Sequence, residues 1–224
     1  MEFISLFDVI GPNMIGPSSS HTAGAASIAL LARNLFLDTP KRVQFILYGS
    51  FSKTYRGHGT DKALLGGILG FKPDDERIRD SFAVAGAEGL KFLFQVDEKT
   101  KTDHPNTVDI FLTGAQGKQM SIRGQSVGGG KIRIVRINGI DVDFTGEYST
   151  IIVKQEDVPG IIAGLTAILS KRQVNIAFMR MYREEKGKIA YTVMEADEQI
   201  PEDILEEMQK LGNVHSVMLL QGWS

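Results

Sequence analysis

The sequence contains no cysteine in its 224 residues. This excludes disulfides, cysteine-based zinc sites, a thiol nucleophile and any iron-sulfur cluster ligated by cysteines of this chain. Redox metal or cluster chemistry would have to come from a partner. An excess of basic charge is also missing, because 25 Lys and Arg face 27 Asp and Glu for a formal net charge of -2. Nothing supplies the positive field that sequence-independent nucleic-acid binding requires, so no nucleic-acid partner is expected. No apolar run approaches the roughly 20 residues that span a bilayer. The start, Met1-Glu2-Phe3-Ile4-Ser5, lacks a basic leader followed by an apolar core and cleavage site. A cytoplasmic protein without membrane contact is the expectation, with a length that suits two modest domains.

The stretch Ile15-Gly16-Pro17-Ser18-Ser19-Ser20-His21-Thr22 places five hydroxyl or imidazole side chains directly before an Ala-rich segment with helical spacing. The first N–H groups of a helix have no internal partners and carry the positive end of its dipole, so a carboxylate or phosphate can dock there. His21 adds a group that exchanges protons near neutral pH. Helix capping by Ser20 or Thr22 would account for one residue of this run, not for all of it.

Apolar spacing predicts a helix over Ala23 to Leu37, ended by Pro40. A strand is expected over Val43 to Tyr48, after which Gly49-Ser50-Phe51-Ser52 carries the chain onward to a second helix from about Thr60 or Asp61 to Leu69. Leu90 to Val96 and Thr107 to Leu112 read as strands consistent with a β-pair, although the joining stretch is long for a hairpin. Lys131 to Ile137 and Ile140 to Phe144 flank Asn138-Gly139, the pattern of a hairpin with a type I′ turn. Thr145 to Ser149 reads as a linker. Beyond it, the order is βαββαβ: 150–154, 159–171, 175–183, 188–196, 201–211 and 214–221, a ferredoxin-like pattern with Gly187 turning the central hairpin and Pro201 early in the second helix.

Three of the four histidines, His21, His58 and His104, sit in segments punctuated by Gly, Ser or Pro. In Arg56-Gly57-His58-Gly59-Thr60-Asp61 the flanking glycines let backbone approach a ligand, and the same residues equally suit a loop with a helix cap. His104-Pro105-Asn106-Thr107 reads as a turn into a strand, and gains functional weight if that loop folds over His21. The three spacings match no local metal-ligand signature, so no metal is expected on this chain. Ser126-Val127-Gly128-Gly129-Gly130-Lys131 is open to two readings, an anion nest or a flexible crossover. Asp157-Val158-Pro159-Gly160 sets a cap and tight first turn, and leaves N–H groups that could hold an amino acid. His215 reads as structural, Met179 and Met181 as core packing or an interface, and Glu184-Glu185 as solvated charge.

Gly16 to Gly24, Tyr55 to Asp61 and His104-Pro105-Asn106, in this order and spacing, resemble the beta subunit of bacterial iron-sulfur-dependent L-serine dehydratases. The resemblance covers essentially the whole chain. It implies an α+β protein: an N-terminal mixed α/β domain over 1–146, similar to the allosteric substrate-binding domain of some phosphoglycerate dehydrogenases, and a C-terminal ferredoxin-like βαββαβ ACT domain over 148–224. It further implies a separate alpha subunit carrying the cysteines and a 4Fe-4S cluster that this chain does not ligate. In the family reaction L-serine loses water across Cα–Cβ and the product becomes pyruvate and ammonia. The open iron site serves as a Lewis acid while a base removes the α-proton. The resemblance implies His21 as a candidate acid/base group or substrate contact. Ser18, Ser19, Ser20 and Thr22 become substrate contacts, with His58, His104 and Asn106 as further candidates for the same pocket. Asp157, Pro159 and Gly160 become the ACT ligand site. A homodimer is expected, and this chain alone should be inactive. The alternative is a purely regulatory L-serine-binding module.

Overall fold

The computed structural model describes residues 14–183 and 185–222. The start of the chain and Glu184, on which two expectations rest, lie outside the described residues. The chain divides into two compact units, 1–139 and 140–224.

In the first unit the serine run is not a prelude to the helix but its entry. A single π-helical turn, Ser19–Ala23, leads directly into α1 (Gly24–Phe36), and Ser18 caps the turn by accepting the His21 N–H at 3.2 Å. Of the thirteen residues of α1, only Arg33 and Asn34 escape burial. A helix apolar on every side belongs inside the unit, and its alanines let neighbours approach closely. β1 (Pro40–Tyr48) includes Pro40 instead of following it; α2 (Gly49–Thr54) then replaces the expected turn, and α3 (Thr60–Ile68) follows. Gly67 of α3 lies against the Ala26 carbonyl and, with a Cβ added, would come within 2.7 Å of the Ala29 methyl, so the two helices meet backbone to backbone. A 3-10 turn, Glu76–Asp80, and α4 (Ser81–Ala87) complete the crossover to β2 (Lys91–Asp97).

The strands β3 (Thr107–Gly114), β4 (Gln119–Gly128) and β5 (Lys131–Ile137) continue the sheet in the order β2-β1-β3-β4-β5, and β6 (Ile140–Phe144) follows in the chain. The expected pairing of the strands near 90–96 and 107–112 is therefore corrected. β1 lies between them, parallel to β2 and antiparallel to β3. The long polar connection allows the chain to pass β1, where a tight turn would have forced neighbours. Asn138 and Gly139 both have positive φ, 51° and 86°, as a type I′ turn requires. The Gly128-Gly129-Gly130 stretch is not a crossover but the tight turn of a second hairpin, with Gly128 paired to Lys131.

In the second unit, β7 (Ser149–Glu156), α5 (Ile161–Lys171), β8 (Phe178–Arg183), β9 (Ile189–Ala196), α6 (Asp203–Gln209) and β10 (Val214–Leu220) give the expected βαββαβ order. The sheet order is β10-β7-β9-β8 and the pairs are antiparallel. Ile151, Val153, Leu165, Leu169, Met194, Ile204 and Met208 form its core. Met179 and Met181 are exposed on edge strand β8, so core packing does not explain them. Pro201 precedes α6 rather than entering it. Among the described residues no helix is long and apolar enough to cross a membrane.

Glu195 on β9 is buried, and burial raises its carboxyl above the ordinary 4.5 while Arg180 pulls it down. A carboxyl that binds its proton more tightly folded than unfolded loses stability as pH rises through the folded value. Glu195→Gln should therefore melt higher than the parent chain at pH 7, and the gap should close as pH falls below about 4, where both states hold the proton. Thermal melts across that range check this, and a gap independent of pH would contradict it.

Candidate active site

The site is built from the π-turn, α2, the loop before α3 and the loop before β3. The turn projects His21 sideways, where both ring nitrogens meet hydroxyls. Nδ1 lies 3.3 Å from Ser18 Oγ, and Nε2 shares a 3.0 Å hydrogen bond with Ser50 Oγ. Two rings wedge the imidazole. Phe51 stands edge-on at 5.4 Å and His58 at 4.8 Å between centroids. Burial first, then the nearby His58, pushes the His21 imidazole below its ordinary 6.5. A ring so placed is neutral at pH 7 and can accept a proton.

Thr22, fully buried, donates its hydroxyl to the His58 carbonyl at 3.2 Å, which stitches the serine run to the Gly57-His58-Gly59 loop. The third segment is tied in through Ser50. The Ser50 N–H donates to the Pro105 carbonyl at 2.7 Å, and a Cβ at Gly49 (φ +53°) would lie 2.5 Å from that same oxygen. Only glycine permits this approach. Asn106 in turn donates its side-chain amide to the Ser126 carbonyl, and the Ser126 N–H donates back to the Asn106 carbonyl at 3.0 Å. Ser126 itself presses on Gly24 at the start of α1, where any side chain would collide with its hydroxyl.

Four buried side-chain atoms in these segments have no protein partner: His58 Nδ1, Thr60 Oγ1, Asn106 Oδ1 and Ser126 Oγ. Buried polar atoms are ordinarily satisfied, so a concentration of orphans in these joined segments is what a site for a polar ligand leaves. His104 stands differently. Its Nδ1 accepts the Asn106 N–H at 3.2 Å and its carbonyl takes the Thr102 and Thr107 hydroxyls, so this ring braces its own turn. Ser50, Phe51 and Gly49 were not visible as site residues in the sequence, and the one local hint was a Gly-Ser pair following a strand.

The sequence profile of the serine dehydratase beta chain family matches residues 4–136, and that of the ACT domain matches residues 149–213. The chain belongs to the serine dehydratase beta chain family. It is 43% identical to the "Probable L-serine dehydratase, beta chain" of Bacillus subtilis, over 97% of this chain and 98% of that one. It is 42% identical to the L-serine dehydratase beta chain of Peptoniphilus asaccharolyticus, over 91% and 92% of the two chains. A weaker match, 28% identity, joins 71% of this beta chain to 30% of the D-3-phosphoglycerate dehydrogenase of Bacillus subtilis.

No group of three or more His, Asp or Glu side chains among the described residues could hold a metal ion. With no cysteine in the sequence, this beta chain's own residues do not fit a cluster. Its ACT part holds a separate cleft of about 400 Å³ lined in part by Asp157, Pro159, Gly160, Met181, Arg183 and Lys186. The expected cap is corrected: Gly160, at φ +90°, is the residue before α5, and neither Asp157 nor Pro159 enters the helix. The Asp157 carboxylate instead accepts the Gly187 N–H at 2.9 Å and pairs with Arg183 at 3.2 Å, bracing the β8–β9 hairpin against the cleft.

Proposed function

We propose that this beta chain works in the cytoplasm with a cluster-bearing alpha subunit to convert L-serine to pyruvate and ammonia, His21 serving as the acid/base group. The observation that supports this reading is the His21 environment: an imidazole kept neutral by burial and by His58, flanked by the Ser18 and Ser50 hydroxyls and set against the His58 ring, whose Nδ1 has no protein partner. Dehydration removes the α-proton and breaks the Cβ–O bond with loss of water. The aminoacrylate tautomerises to an imine, and water hydrolyses it to pyruvate and ammonia. A neutral imidazole can take the α-proton and return it to the departing hydroxyl. Ser18, Ser19 and Ser20 are assigned to the substrate carboxylate, and His58, Asn106 and Thr22 to the walls of the pocket. His104 serves by shaping the loop that bears Asn106. The 4Fe-4S cluster is placed on the alpha subunit and not on this chain.

In the ACT part, we assign the Asp157, Pro159 and Gly160 cleft to an amino-acid effector, and the exposed β8 edge to a homodimer contact. Sedimentation should give about twice the 24.6 kDa chain mass at micromolar concentration. A monomer would contradict the dimer.

A second reading, a regulatory L-serine-binding module, draws support from the match to a dehydrogenase, since a similar segment occurs in an enzyme of another name. Anaerobic reconstitution with the cysteine-bearing alpha subunit separates the two. Pyruvate formed only by the mixture supports the subunit reading. A stable complex with an intact cluster and no pyruvate turns the assignment to the regulatory module.

A further inference from the structure

We propose that Ser50 is a positioning residue for His21, holding the imidazole in one tautomer and one orientation and fastening it to the His104-Pro105-Asn106 loop. The inference rests on His21 being the acid/base group, but it concerns a residue outside all three sequence motifs.

The contact to Ser50 is the shorter of the two made by the ring, 3.0 Å against 3.3 Å to Ser18. Ser18 is in addition committed to the fold, because its Oγ also accepts the His21 backbone N–H as the cap of the π-turn. Ser50 has no such duty through its side chain. Its backbone, in contrast, is pinned on both sides. The N–H donates to Pro105 at 2.7 Å, and the carbonyl accepts the Thr54 hydroxyl at 3.0 Å. Gly49 beside it packs without a side chain on Pro105. A hydroxyl on so fixed a backbone can set a ring's angle to within a narrow range, as a functional shell requires.

The chemical type of the partner also fits. A carboxylate against Nε2 would raise the ring's affinity for a proton, whereas a hydroxyl orients the ring and adds no charge. This agrees with a ring already kept neutral by its surroundings. Phe51, the next residue of α2, closes the edge of the same imidazole, so one short helix supplies both the hydrogen bond and the packing that hold it. Ser50 thereby joins two sequence motifs that, among the described residues, have no hydrogen bond to each other: the serine run through Oγ and the His-Pro-Asn loop through its N–H.

The test uses the full chain with 15N-labelled histidine, the His21 signals being assigned by their loss in His21→Asn. In the parent chain the two His21 nitrogens should give the well-separated shifts of a single tautomer. In Ser50→Ala they should converge toward the average of two tautomers, and Ser50→Thr, which keeps the hydroxyl, should restore the separation. In complex with the alpha subunit, Ser50→Ala should lower kcat/KM for L-serine about tenfold, the scale of one hydrogen bond, with KM nearly unchanged. Parent-like nitrogen shifts in Ser50→Ala overturn the proposal, whatever the activity. Should Ser50→Ala fail to fold, Ser50→Thr decides: averaged shifts in that variant overturn the proposal and separated shifts support it. If the parent complex makes no pyruvate, the functional reading fails while the nitrogen shifts still decide the role of Ser50.

Discussion

Replacing His21 with alanine should lower kcat for L-serine dehydration by the two-subunit complex by about 10²–10⁴-fold, the usual contribution of a positioned acid/base group. Subunit association should be preserved, because the π-turn is capped through the His21 backbone N–H, which alanine retains. Pyruvate release and the mass of the complex measure the two effects separately, and equal turnover would remove His21 from the chemistry. The pH profile carries a signature of its own. Since burial and His58 lower the His21 pKa, the acid limb of kcat/KM should lie below pH 6.5 in the parent and vanish from the residual activity of the variant. A variant that keeps saturated turnover but loses a response to serine would instead place His21 in a regulatory site.

Replacing Arg123 with alanine should cost the first unit about 2 kcal/mol, below the 3–5 kcal/mol of a fully buried pair that loses one partner, because solvent reaches the Arg123 side chain, 22% exposed. Arg123 on β4 grips Asp109 on β3 with two contacts of 2.6 Å, and the pair is directly cross-strand. Tyr48 on β1 donates its hydroxyl to the same carboxylate at 2.8 Å, and the Arg123 guanidinium lies 5.2 Å from the Tyr48 ring centroid. Burial and the Asp109 carboxylate push the Tyr48 hydroxyl up to about 12, so it remains a donor throughout the neutral range. Without Arg123, Asp109, with a side chain only 12% exposed, keeps a negative charge that Tyr48 alone cannot balance. Calorimetry should show the melting transition lowered by roughly 6 °C, taking 2–4 °C per kcal/mol for a chain of this size. The double variant Asp109→Leu, Arg123→Met should regain most of the loss, since it removes both charges together. A single variant that melts like the parent would mean that solvent already screens the pair.

The features legible in the sequence were those set by neighbours along the chain. Alternation around Asn138-Gly139 and the order of elements after residue 149 came through because turn chemistry and periodicity are local. The serine run, His58 and the loop at 104–106 were legible as separate motifs, and the structure brings the first two together through Thr22 and adds the third through Ser50. Pairing across β1 was not legible. Whether β2 meets β3 depends on which strand fills the gap, and nothing in either strand encodes that. Ser50 was missed for a related reason: a single hydroxyl after a strand has the pattern of an ordinary turn, and its importance comes from a carbonyl at Pro105 supplied by another part of the sheet. Tyr48, Asp109 and Arg123 stand on three strands and form one group only once those strands are in register.

The docking of Gly49 and Ser50 on Pro105 also bears on how the protein comes into being. His21 must find a hydroxyl 29 residues away, Thr22 a carbonyl 36 residues away, and Asn106 a carbonyl a further 20 residues along. Such distant closures carry a loop-entropy cost that is recovered only when the sheet forms. The site is therefore a late product of folding, and a nascent chain released before the end of β4 would lack it. The Ser50 amide, held by Pro105, is its natural reporter: its hydrogen exchange should slow only when β1, β3 and β4 have closed, and should quicken in any state that opens the sheet.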